Sequence, residues 1–199
     1  MKTLAFLLLS MLLFPTMQEN GYKVGDKAMD FNLKNIDGKM VSPADYPDAK
    51  GFVVIFTCNH CPYAKAYQDR IIEIDKKYKP KGYPVIAINS NDASIVPEDS
   101  YDNMKIRAHE KGFTFPYLYD ADQKVANVYG AARTPHVFLL EKEKGNLIVK
   151  YIGAIDNNYE DASAVTEHYL SDAIDALLQG KEPATTFTKA IGCTIKRKS

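Results

Sequence analysis

Two cysteines three positions apart, Cys58 and Cys61, stand where an apolar run ends and a helical pattern begins. That junction constrains the fold of this chain more than any other feature. The run Gly51-Phe52-Val53-Val54-Ile55-Phe56-Thr57 is β-branched and aromatic, the pattern of a strand buried on both faces. After Cys58-Asn59-His60-Cys61-Pro62, the residues Ala64, Tyr67, Ile71, Ile74 and Tyr78 recur at helical steps on one face. A strand that ends in C-x-x-C and opens a helix is expected to set the first sulfur, Cys58, over the helix N-terminus. Free backbone N–H groups and the positive end of the dipole favour thiolate over thiol there. The thiolate attacks disulfides and peroxides, so the arrangement points to redox chemistry. A structural zinc half-site is the competing reading. It needs two further ligands, and the remaining cysteine, Cys193, comes with no second C-x-x-C and no H-x-x-x-H, so no metal is expected.

Charge narrows the function classes. Among 199 residues, 25 Lys and Arg balance 25 Asp and Glu, without a long one-sign block. Such a chain has no electrostatic footprint for nucleic acid or an anionic membrane surface. The short basic end Lys196-Arg197-Lys198 reads as a solvated terminus. At the other end, Lys2 is followed by the apolar run Leu4 to Phe14, the pattern of a secretory signal peptide and too short for a stable membrane span. The expected organisation is a signal over residues 1–18, a domain over 19–180 and a C-terminal tail over 181–199. Pro15 to Asn20 offers no small-x-small cleavage triplet, so an uncleaved N-terminal anchor stays open. Either way the protein is expected to be exported, to a periplasmic or extracytoplasmic space where disulfides persist.

Along the domain, Phe31 to Val41 reads as a β-hairpin turned at Asp37-Gly38, the core of an N-terminal extension from Asn20 to Asp48. Tyr83 to Asn89 is a second buried strand, reached by a crossover helix and hence parallel to the first. A helix is expected from near Glu98 to Gly112, and Phe113 to Tyr119, which carries Pro116, is placed as an approach segment or edge strand. A short helix over Asp122 to Tyr129 precedes strands His136–Leu140 and Leu147–Ile152, which form an antiparallel hairpin. An amphipathic helix from Asp161 to Gln179, with Ala164, Val165 and His168 near its apolar side, closes the order. The expected class is α/β: a mixed, four-stranded central sheet flanked by helices, with the N-terminal β-hairpin extension.

These residues resemble the thioredoxin superfamily, and within it the peroxiredoxin-like (AhpC/TSA, redoxin) branch, over roughly Val24 to Gln179. The resemblance rests on Cys58-Asn59-His60-Cys61 at the strand-to-helix junction, on Thr134-Pro135 before a strand, and on Asp120 to Gly130 as a D-x-x-x-x-v-a-x-x-y-g segment. Asn89-Ser90-Asn91-Asp92-Ala93 and Gly192-Cys193-Thr194-Ile195-Lys196 further resemble a subgroup that carries C-N-H-C-P. It implies a thioredoxin-like fold and a cis Thr134-Pro135 bond whose flanking backbone pairs with a substrate peptide. This chain departs from the pattern in three places. Thr57 replaces the usual tryptophan, and Phe52 replaces the acid that thioredoxins carry six residues before the first cysteine, so proton handling needs another group or water. The peroxiredoxin alignment puts Cys61 in the attacking position, with Cys58 where a threonine should stand and Arg133 near the segment that supplies an arginine.

The candidate site is therefore Cys58 as the more exposed nucleophile, Cys61 as the buried resolving thiol, His60 as a donor to the Cys58 thiolate, and Thr134 with Pro135 as substrate contacts. The competing readings are a static disulfide, a histidine in solvent and an ordinary trans proline. His136 either approaches the sulfurs or lies at the surface, and His109 and His168 are structural or solvated. Cys193 lies in an apolar patch, Ala190 to Ile195, that suggests a tail packed back on the domain. Cys193 is then a resolving thiol or a spare one. The expected activity is that of an exported thiol–disulfide oxidoreductase exchanging with protein thiols or disulfides, without cofactor. A thiol peroxidase with Cys61 attacking peroxide, and a binding module with an inert disulfide, are the alternatives.

Overall fold

The Gly51–Phe56 run forms a fully buried strand, β4, and the molecule is built outward from it. A computed structural model describes residues 21–198, and the expected signal segment lies outside the described residues. Before β4 come β1 (Lys27–Ala28), β2 (Leu33–Asn35) and β3 (Met40–Val41). After it come α1 (Pro62–Tyr78), β5 (Val85–Asn89), α2 (Tyr101–Lys111), β6 (Tyr117–Tyr119) and α3 (Lys124–Tyr129). The chain continues with β7 (Arg133–Thr134), β8 (His136–Glu143), β9 (Asn146–Gly153), α4 (Tyr169–Leu178) and β10 (Cys193–Thr194).

The main sheet has the order β1-β9-β8-β4-β5-β6-β2-β3. It is mixed: β4, β5 and β6 run parallel, while β8 is antiparallel to β4 with His136 opposite Phe56. Alternation along β4 divides the core. Val53 and Ile55 join the apolar faces of α1, α2 and α4 in one layer. Phe52, Val54 and Phe56 join α3, the N-terminal extension and Ile195 of the tail in the other. Four strands were expected and eight form the main sheet, because β1 adds to one edge while β6 and then the β2–β3 hairpin extend the other.

Two expectations need correction. The segment carrying Pro116 is not an edge: β6 is internal, between β5 and β2. Pro116 immediately precedes the strand and uses only its carbonyl, which accepts from Ala87 N at 3.0 Å. The last helix begins at Tyr169, not Asp161. The Asn157 side chain accepts from Thr166 N and Glu167 N and donates to Thr166 Oγ1, which holds that stretch as a loop after a single 3-10 turn at Ala162–Ala164. Ala164, Val165 and His168 thus lie ahead of the helix, with His168 at its N-cap.

Candidate active site

Helix α1 starts with Pro62, whose missing N–H costs nothing in the first turn, and Cys61 is the N-cap residue. The cysteine over the helix N-terminus is therefore Cys61, not Cys58 as the spacing suggested. Both cysteines are buried, Cys58 at 1% and Cys61 at 0% exposed, so exposure does not separate the two sulfurs. Tyr63 and Cys193 pack against the pair and close it off. All three thiols are free.

The two sulfurs differ in what surrounds them. Cys61 Sγ lies 3.2 Å from Thr134 O and 3.4 Å from the backbone N–H of Cys193. Its ionisation is pulled below the ordinary cysteine range chiefly by the hydrogen bond from the Cys58 thiol. The Cys193 side chain and the N–H groups of Ala64 and Cys193 reinforce this against the opposing effect of burial. Cys58 moves the other way: the proton it gives to Cys61, then burial, then the charge of Asp99 all raise it. The two thiols titrate as a coupled pair, and their surroundings favour ionisation at Cys61 over Cys58. Cys58 Sγ also lies 3.2 Å from Thr134 Oγ1. Thr134-Pro135 is cis, as the resemblance implied.

His60 is not simply a donor to Cys58. Its Nδ1 lies 2.5 Å from Asp99 Oδ2 and 3.6 Å from Cys58 Sγ, so the carboxylate is the nearer partner. Asp99 is fully buried and accepts in addition from Asn59 N, His60 N and Asn91 Nδ2. Those bonds fix the C-x-x-C backbone to the loop after β5. Asn89 Nδ2 donates to Asp99 O, tying that loop to β5, and Tyr117 OH donates to Asn59 Oδ1, tying the C-x-x-C to β6. Sequence reasoning missed Asp99, which reads as an acidic residue ahead of α2. The signal was indirect: with Phe52 in place of the usual acid, proton handling needed another group or water.

Cys58 Sγ, His60 Nδ1 and Asp99 Oδ2 lie within 4.8 Å of one another, a donor set that a metal ion could use. The Asp99 carboxylate is already held by the Asn59 and His60 N–H groups, the Asn91 amide and the His60 ring, which account for it without a metal ion. Of the other histidines, His136 accepts from Ala132 N through Nδ1 and lies tilted against Phe138 with ring centroids 4.7 Å apart. Burial, then the Arg133 charge, lower it to about 4, so it is neutral at physiological pH and makes no hydrogen bond to either sulfur. Arg133 donates to Gly192 O at 2.9 Å.

The sequence model of the AhpC/TSA family matches residues 24–152. The chain is 39% identical to an uncharacterized conserved protein from Geobacillus kaustophilus of known crystal structure. That alignment covers 94% of this chain and 98% of the other with a TM-score of 0.82. It is 27% identical over 131 residues to the thiol-disulfide oxidoreductase ResA of Bacillus anthracis, covering 66% of this chain and 70% of that one. A thioredoxin family thiol:disulfide interchange protein from Chlorobium tepidum is 18% identical with a TM-score of 0.51, over 64% of this chain and 85% of the other, and shares the fold alone. The C-x-x-C at the β4–α1 junction, the cis Thr134-Pro135 beside it and the family match lead to one conclusion: the chain belongs to the AhpC/TSA family, in the redoxin branch of the thioredoxin superfamily.

Proposed function

We propose that the protein is a thiol–disulfide oxidoreductase in which Cys61 attacks a disulfide of a protein partner and Cys58 releases the product. The observation that carries this reading is the different placing of the two sulfurs: Cys61 is the N-cap of α1 and receives the Cys193 N–H at 3.4 Å, whereas Cys58 lies 3.6 Å from His60, itself paired with the buried Asp99. In the reductive direction the Cys61 thiolate attacks one substrate sulfur, the substrate S–S bond breaks, and a mixed disulfide forms. Cys58 gives its proton to the carboxylate of Asp99, directly or through His60, and attacks Cys61 Sγ. The Cys58–Cys61 bond forms and the substrate leaves as a thiolate. Thr134, and Pro135 after it, border the sulfurs where the substrate segment would lie.

Reduction of peroxide by Cys61 is a second reading, favoured by the same thiolate. Arg133, the arginine that such chemistry would use, is engaged by Gly192 O. Equilibration with glutathione redox buffers, and separately with hydrogen peroxide, tests both. A reversible Cys58–Cys61 couple with slow peroxide consumption is expected. Rapid peroxide turnover without a reversible couple would replace the first reading with the second, and no response to either would leave a binding module. We also read residues 1–18 as an export signal, on Lys2 and the apolar run after it. Recovery of the protein in the cytosolic fraction would overturn that.

A further inference from the structure

The segment beyond α4 returns to the active site along a defined path. Thr186 and Thr188 bracket Ile152: Ile152 N donates to Thr186 O and Thr188 N to Ile152 O, each at 3.0 Å. Strand β10 then pairs antiparallel with β7, placing Cys193 opposite Thr134. Past it, Ile195 is buried in the second core layer and its N–H donates to Ala132 O at 3.1 Å. Lys196 is held through both backbone groups, its N–H on Asn91 Oδ1 at 2.8 Å and its carbonyl accepting from Asp92 N at 3.0 Å. The final basic residues are thus tied down, where the sequence suggested a solvated end.

Pairing of an extended segment with the backbone beside the catalytic sulfur is how a peptide adds to a sheet edge. Here the chain's own tail does it and brings a thiol along. The Cys193 N–H points at Cys61 Sγ at 3.4 Å, and the Cys193 side chain packs against the Cys58 and Cys61 pair. Gly192 permits the approach, because a Cβ there would sit 2.2 Å from Thr134 O.

We propose that β10 is an internal substrate: it presents Cys193 to Cys61 in the register of a bound peptide, and the protein passes its disulfide between Cys58–Cys61 and Cys61–Cys193. This rests on Cys61 being the attacking thiol of the proposed function. In the oxidised protein the Cys193 sulfur, as thiolate, attacks Cys61 Sγ. The Cys61–Cys193 bond forms, the Cys58–Cys61 bond breaks, and Cys58 leaves with the electron pair and takes up the proton that Cys193 gave up. One disulfide is present before and after, so no external oxidant is needed. A partner thiol or disulfide reaches Cys61 by displacing the strand.

The test uses the Cys58→Ser protein, reduced, treated with one equivalent of oxidised glutathione, alkylated and mapped by mass spectrometry without reduction. Cys61 first takes up glutathione, and Cys193 then displaces it. The expected main product is a monomer with a Cys61–Cys193 disulfide and no bound glutathione. The Cys58→Ser/Gly192→Val protein is expected to stop at the Cys61–glutathione adduct, with the internal disulfide reduced at least tenfold. A Cys58→Ser protein that also stops there, with Cys193 fully alkylated, overturns the proposal. If that variant does not fold, wild type equilibrated in glutathione buffer is mapped instead, and complete absence of a Cys61–Cys193 peptide overturns it. Failure of the proposed function looks different: wild type then shows no reversible Cys58–Cys61 couple at all.

Discussion

Asp99 carries no substrate and touches no surface, yet it organises the chemistry. A buried carboxylate that raises Cys58 keeps that thiol protonated until Cys61 has reacted, and it is then positioned to take the proton. Asp99→Asn is expected to slow release of a mixed disulfide on the order of 10²-fold, the lower end for lost general-base assistance. The defect should shrink as pH rises and Cys58 ionises unaided. A pH-independent loss would make Asp99 only a brace for the Asn59 and His60 backbone. For Cys61 the lowered ionisation means that alkylation of the reduced protein reaches half its maximal rate well below the ordinary value of 9.0. At this scale the sequence was half legible. The motif named Cys58, His60 and Cys61, but the side chains that set their roles come from Asp99 and Cys193, which lie 38 and 132 positions beyond Cys61. Spacing also set the wrong sulfur over the helix, because Pro62 starts α1 one residue after Cys61.

The elements were more legible than the residues, because periodicity follows burial. β4, β5, α1 and α2 lie where apolar spacing placed them, with Ser100 Oγ accepting from Asn103 N at the start of α2 and Gly112 in the left-handed region at its end. What failed was set by polar side chains acting across the fold. The Asn157 side chain converts the expected first two turns of the last helix into a loop, which no periodicity records. The sheet itself tolerates little change at its centre. A Cβ on Gly51 would fall 2.1 Å from Leu140 O of the neighbouring strand β8. Gly51→Ala is therefore expected to destabilise the protein by about 1–3 kcal/mol in chemical denaturation, as overpacking does. An unchanged midpoint would mean that β4 and β8 separate more readily than their pairing over Gly51 to Phe56 suggests.

As a whole, the molecule sets a buried redox pair between a rigid sheet and its own returning tail, so redox state and stability are linked. The native ionisation of Cys61 is depressed, so the reduced protein gains stability that is complete above the unfolded value of 9.0 and is lost as pH falls through the native one. The oxidised protein has no such thiolate. The melting temperature of the reduced form relative to the oxidised form is thus expected to fall on acidification from pH 9, and a constant difference would deny the Cys61 thiolate. Whether Cys61 attacks and Cys58 resolves is decided by trapping, with Cys193 removed so that it cannot interfere. Cys58→Ser/Cys193→Ser and Cys61→Ser/Cys193→Ser proteins are reacted with a disulfide-bonded protein, quenched in acid and mapped without reduction. A stable mixed disulfide on Cys61 is expected in the first protein and none in the second. A mixed disulfide held on Cys58 in the second, with Cys61 unreacted in the first, would contradict that assignment.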